Sequence, residues 1–343
     1  MTKRFLAAAL CIGLLLLCAC GADTTAPTTT TAASTAVTTV VTTVTEPSQT
    51  TSTTINNTTT QTLPSRETVV KTTATTTVTT TTIPTTTAPT ELPTGPYEGP
   101  LTFTRSAGEI RITGCAEGVE TVEIPIGIEG FPVTEISSGA FQNQTALKAV
   151  IISEGVRSVG GHAFKGCTAL ETVQLPSSVR DIGDEAFREC SALKTINLPP
   201  RLKYVGEYAF YKCSKLERLT LPDTVTAIGR AAFQGCSSLT EVNIPSNVGE
   251  MGISVFYGCK KITKITVPSS LSTIPGQTFY GCTALAEITI PSTIRAVGKN
   301  AFYNCKALKT VRYGGSAADR EALNVTKYQG NDALAAATWN FAK

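Results

Sequence analysis

Ile182-Gly183-Asp184-Glu185-Ala186-Phe187-Arg188-Glu189-Cys190-Ser191-Ala192-Leu193, followed by Lys194-Thr195-Ile196-Asn197-Leu198-Pro199, is the stretch from which the chain can be read. Its Phe recurs: Phe141, Phe164, Phe187, Phe210, Phe233, Phe256, Phe279 and Phe302 stand 23 residues apart. Three residues after Phe comes Cys, at Cys167, Cys190, Cys213, Cys236, Cys259, Cys282 and Cys305. Leu or Ile follows six residues after Phe, and aliphatic pairs such as Val173 with Leu175, or Ile288 with Ile290, lie nine and eleven after. Pro176, Pro199, Pro222, Pro245, Pro268 and Pro291 come next, then a Gly such as Gly183 or Gly206, then Ala before most of the Phe residues. A fixed period of this length marks a stacked array, because no single coil can bury its own apolar face.

The alternation after each Cys predicts a short strand with two side chains pointing inward. Pro has no N–H to donate, so it ends the strand. The Gly is expected to supply a turn conformation that other residues resist. Stacking at about 4.8 Å per coil pairs the strands in parallel and makes a rod of roughly 40 Å plus caps. No coil holds a long 3.6-period segment, so the far side should be turns and short extended pieces. The fold expected is a mainly β solenoid of about eight 23-residue coils with a parallel strand face, N- and C-terminal caps and little α-helix.

The repeat just quoted resembles the BspA-like (Treponema-type) leucine-rich repeat, and the resemblance extends over about residues 101–343. Two departures stand out. Gln144 replaces the first column Cys, and the step from Pro125 to Phe141 is five residues longer than the regular one. The segment with Gly130-Phe131-Pro132-Val133 looks like the family's degenerate first coil, and residues 314–343 resemble its C-terminal cap. The family resemblance implies a surface lipoprotein that binds host or neighbouring-cell proteins.

The N-terminus reads as an address. Lys3 and Arg4 precede an apolar run of 13 residues, Phe5 to Leu17, too short for a membrane span and suited to a signal peptide. It ends in Leu17-Cys18-Ala19-Cys20-Gly21, which resembles a bacterial lipobox with Cys20 as the lipidated residue. The implied diacylglyceryl group anchors stably where one chain would not. Residues 22–95 then hold 35 Thr among 74 residues, a composition with too little apolar surface to pack. The expected organisation is 1–19 signal peptide, 20–98 Thr-rich disordered stalk, 99–140 N-terminal cap and degenerate first repeat, 141–313 repeats, and 314–343 C-terminal cap. The localisation expected is the extracellular face of a bacterial membrane, held by lipid.

The formal charge of +3 is too small to argue for nucleic-acid binding. The single His, His162, counts against His-based triads and His-ligated metal sites. None of the nucleophile-elbow, phosphate-loop, dinucleotide or zinc-protease motifs is present. No catalysis, cofactor or metal is therefore expected. The evenly spaced Cys column suits stacked, free, buried thiols better than a disulfide framework.

What remains is surface. The eighth and tenth residues after each Phe point outward on the strand face. They give a candidate binding face of Arg218, Glu241, Lys264 and Glu287, which alternate in sign, with Thr220, Asn243, Thr266 and Thr289. The ordinary explanation of the alternation is cross-strand pairing that keeps the sheet soluble; the sharper one is a specific protein contact. A second candidate is the aromatic stripe Tyr257, Tyr280 and Tyr303, one residue after Phe, which is either packing over turns or a contact for protein or sugar. The leading reading is adhesion or protein–protein interaction with an extracellular or host protein. A carbohydrate- or cell-wall-binding module and a structural spacer are the alternatives.

Overall fold

The computed structural model describes residues 91–323, 325 and 330–342; the signal segment, Cys20 and most of the Thr-rich segment lie outside the described residues. Ten short strands form one side: Thr121–Ile124, Ala149–Ile152, Thr172–Gln174, Thr195–Ile196, Arg218–Leu219, Glu241–Val242, Lys264–Thr266, Glu287–Ile290, Thr310–Tyr313 and Thr338–Phe341. They run parallel wherever they pair. In the body of the array the register advances by one period, as Thr172 to Thr195 and Lys264 to Glu287. The first step instead joins Thr121 to Ala149, because the five extra residues fold into a small antiparallel hairpin, Gly127–Ile128 with Phe131–Ile136. Glu129 and Gly130 make its turn, both at positive φ.

The expected short extended pieces form a second ladder. It runs through Phe131–Ile136, Ser158–Val159, Asp181–Ile182, Tyr204–Val205, Ala227–Ile228 and Glu250–Met251, and a separate pair follows at Thr273–Ile274 and Ala296–Val297. At the front, the antiparallel hairpin Leu101–Ser106 with Glu109–Cys115 lays its second strand along Phe131–Ile136.

The third side is made of turns around Phe. Each coil donates several backbone N–H groups in the same direction: His162 to Asp184 O (2.8 Å), Phe164 to Ala186 O (2.7 Å) and Gly166 to Arg188 O (2.8 Å). Aiming alternate amides at one neighbour puts the residues two before and two after each Phe in the left-handed region. Glu185, Tyr208 and Gln277 take it before Phe; Asn143, Glu189 and Lys212 take it after. L-residues resist that conformation, so stacking imposes it.

The repeated Gly has a different role from the expected turn. Gly183, Gly206 and Gly229 do not have positive φ. A Cβ on Gly206 would lie 2.5 Å from the carbonyl carbon of Gly183, and one on Gly183 would lie 2.6 Å from Gly161 N. The Gly column is therefore a place where successive backbones nearly touch.

Inside, the eight Phe rings form one column, with centroids from 4.9 Å (Phe141–Phe164) to 5.9 Å (Phe256–Phe279) apart. Each column thiol donates to the Phe carbonyl of the coil before it, as Cys190 to Phe164 O at 3.1 Å and Cys259 to Phe233 O at 3.3 Å. The seven are buried and free, and burial pushes the Cys236 thiol up to about 12. Gln144 does the same work at the first coil, donating Nε2 to Cys115 O at 3.1 Å.

The far end closes on Asn331, which is 1% exposed. Its Oδ1 accepts the Phe302 N–H and its Nδ2 donates to Gly298 O, both at 3.0 Å, so one amide replaces the backbone of an absent coil. The short helices Ala317–Ala322 and Asp332–Ala336 carry the chain to the last strand. Gly206→Ala should destabilise by about 1–3 kcal/mol through overpacking, lowering the thermal midpoint by about 2–4 °C per kcal/mol. An unchanged midpoint would show that the coils separate freely there.

Candidate functional site

The strand face displays the charges that the outward columns anticipate, but unevenly. Arg218 and Glu241 face each other in register, 3.8 Å apart, with both side chains 73% exposed. Lys264 and Glu287 lie opposite at 2.8 Å, and Arg312 grips the same carboxylate at 2.7 Å. The Arg312 and Lys264 hydrogen bonds bring the Glu287 carboxyl down to about 2. Lys264–Glu287–Arg312 is thus a closed triad, while Arg218 and Glu241 are loosely held. A neighbouring column, one residue earlier, also alternates: Lys148 meets Glu120 and Lys194 meets Glu171, each at 2.8 Å. The signal for it, Lys148-Glu171-Lys194-Glu217 at the repeat spacing, is present in the sequence, in a column that the outward alternation from Phe does not single out.

The array is not uniform. The strand face lapses between Thr195–Ile196 and Arg218–Leu219, where the second ladder runs on; between Glu241–Val242 and Lys264–Thr266 both ladders lapse, since Glu250–Met251 and Thr273–Ile274 do not pair either. We call this junction the seam. Its chemical cause on the second ladder is Pro275, which occupies the Gly column. Gly252 donates to Ile228 O (2.9 Å) and Gly298 to Ile274 O (2.8 Å), but Pro275 has no N–H for Met251. On the strand face, Asn243 turns its amide back on the preceding coil: Leu221 N–H donates to Oδ1 (2.8 Å) and Nδ2 donates to Leu221 O (3.0 Å). The turn side stays continuous, with Phe233 N–H to Val255 O and Phe256 N–H to Thr278 O.

The seam opens a groove of about 700 Å³ lined by Arg218, Thr220, Glu241, Asn243, Lys264 and Thr266, with Leu219, Val242, Ile244 and Ile265 at its floor. Val242 is half-buried although its column mates Leu219 and Ile265 are buried; Ile244 is half-buried like Leu175 and Leu198 of its column, whereas Leu221 and Val267 are buried. The structure thus gathers six of the eight candidate face residues around one groove. Glu287 and Thr289 sit one coil further on, and the Asn243 amide is committed to the backbone.

The Tyr stripe stacks on itself. Tyr257 and Tyr280 are 4.4 Å apart and nearly parallel; Tyr280 and Tyr303 are 4.7 Å apart. Tyr280 therefore has both faces covered, and it presents an edge and a hydroxyl, where sugar stacking wants an open face. Tyr211 lies apart from them, beneath Arg188 at 4.9 Å.

A family described as "BspA type Leucine rich repeat region" matches in six copies over residues 134–248 and 203–321. The crystal structure of a leucine-rich repeat protein from Bacteroides ovatus ATCC 8483 is 29% identical, with a TM-score of 0.53, covering 63% of this chain and 70% of that one. The leucine-rich repeat protein of T. pallidum is 25% identical, with a TM-score of 0.47, covering 67% of this chain and 95% of that one. No curated protein sequence gives a significant match.

Two outcomes follow from the strand face. The Glu287 carboxyl titrates below its ordinary 4.5, so its stabilisation is complete above that pH and is lost as the pH falls toward about 2. Glu287→Gln should flatten that acid limb of a thermal-midpoint curve; an identical limb would show that the triad contributes nothing. Hydrogen exchange should be faster at Thr263, Lys264 and Thr273 than at Ala286, Glu287 and Ala296, one coil later. Equal protection would deny the seam.

Proposed function

Because the chain belongs to the BspA-type leucine-rich repeat family, we propose that it is a binding module whose partner is a protein, docked on the strand face at the seam. The groove carries this reading. It brings Val242, the half-buried member of an otherwise buried column among the described residues, together with the half-buried Ile244 beside exposed side chains of opposite charge. An apolar centre with a polar rim is the usual anatomy of a protein interface. Arg218 and Glu241, loosely paired and exposed, can exchange their mutual contact for one with a partner. The parallel face of repeat arrays is a common binding surface.

Presentation follows from the other end of the chain. The charged start, the apolar run and the Cys20 context support export and lipidation, and the Thr-rich segment 20–98 supports a tether. The module would then stand outside a bacterial membrane and meet extracellular or host proteins, the position required for adhesion.

The test is a screen of the full chain against extracellular-matrix and plasma proteins. Saturable binding should weaken by about tenfold or more in Arg218→Glu/Lys264→Glu and in Val242→Asp, and survive Lys203→Glu on the second ladder. Silence across the screen would overturn the protein-binding reading in favour of the spacer, and equal loss in all variants would remove the seam as its site.

A further inference from the structure

The charge of the molecule divides at the seam. Residues 99–251 carry 17 acidic and 14 basic residues, whereas residues 252–318 carry eight basic residues and one acid, Glu287. That acid is already shared between Lys264 and Arg312. The last three coils therefore hold a net charge of +7, while the protein as a whole is nearly balanced at +3. Whole-chain charge conceals the block, because the earlier coils offset it.

Half of these basic residues fall in the turn segments that carry the Tyr stripe. Going round a coil on the turn side, Lys299 comes three residues before Phe302, Tyr303 one after and Lys306 four after. Lys260 repeats the Lys306 position two coils earlier, with Lys261 next to it. All four lysines are exposed, and among the described residues none has a carboxylate within ion-pair distance. In the same turn segments the rings of Tyr257, Tyr280 and Tyr303 stack on one another from coil to coil, so their edges line up in a row.

We propose that this turn face binds an acidic polysaccharide lying along the rod axis, its carboxylates or sulfates met by Lys260, Lys261, Lys299 and Lys306 and its hydroxyls by the Tyr edges. The chemistry selects among polyanions. Single-stranded nucleic acid gains much of its affinity by stacking bases on open rings, and the faces of Tyr280 are occupied. A folded acidic protein wants an apolar centre, whereas Gly258 and Gly281 flank the Tyr edges here. A hydroxyl-rich chain with regularly spaced acids asks for cations and hydrogen-bonding phenols, and needs neither bases nor a pocket. The surface is on a different side of each coil from the seam groove, so the two assignments stand or fall separately.

The experiment measures binding of the full chain to immobilised heparin, polygalacturonate and neutral dextran in about 0.15 M NaCl. Both acidic glycans should bind, dextran should not, and binding should fall as salt rises. Lys260→Glu/Lys261→Glu/Lys306→Glu should weaken it by about tenfold or more, with Arg180→Glu/Arg201→Glu/Lys203→Glu, in the earlier coils, having little effect. Failure to bind either acidic glycan would overturn the proposal. So would equal losses in the two triple variants, or tighter binding of a DNA duplex or of poly-glutamate than of the glycans.

Discussion

The separation between neighbouring coils is the constraint on which everything else in this molecule depends. The Phe column sets it, with rings stacked face to face through the centre of the rod at about 5 Å. At that distance parallel strands can pair, thiols can reach the carbonyl of the coil before, and backbones meet so closely that only Gly fits between Gly183 and Gly206. It also forces two residues per coil into the left-handed region. Glu185 and Tyr208 accept that cost because alternate amides must all point at the same neighbour.

A stack with one spacing has a problem at each end, and the two ends solve it with side-chain amides. Gln144 donates to Cys115 O where later coils use a thiol, and Asn331 supplies both halves of a missing backbone contact to Phe302 and Gly298. Gln144 stands in for a thiol, and Asn331 for backbone that is not there. Asn243 acts in the same way inside the array, where the strand ladder lapses.

The seam shows how a repeat array acquires individuality. Pro275 removes one donor from the second ladder, and the strands on the opposite face part at the same junction. The core then becomes reachable at Val242, and the charge balance changes from slightly acidic before the junction to strongly basic after it. One rod thereby carries two chemically distinct surfaces, a groove on the strand side and a lysine-lined row of Tyr edges on the turn side.

The period made most of the fold legible. Eight Phe at one spacing, a Cys column and alternating aliphatics specify a parallel solenoid because identical coils have only one way to bury identical faces. The outward strand residues were readable for the same reason, since alternation along a strand decides which side chains leave the core. The use of each column was less legible. The Gly column reads as a turn signal, yet it marks a backbone contact across coils; the Tyr column reads either as packing over turns or as a contact stripe, and its rings cover one another. The sequence by itself determined the architecture and the buried columns, because these follow from local pattern repeated. The tertiary structure alone decided which exposed charges are paired, where the stack parts and which ring faces are covered, because each depends on distances between coils that no single repeat contains.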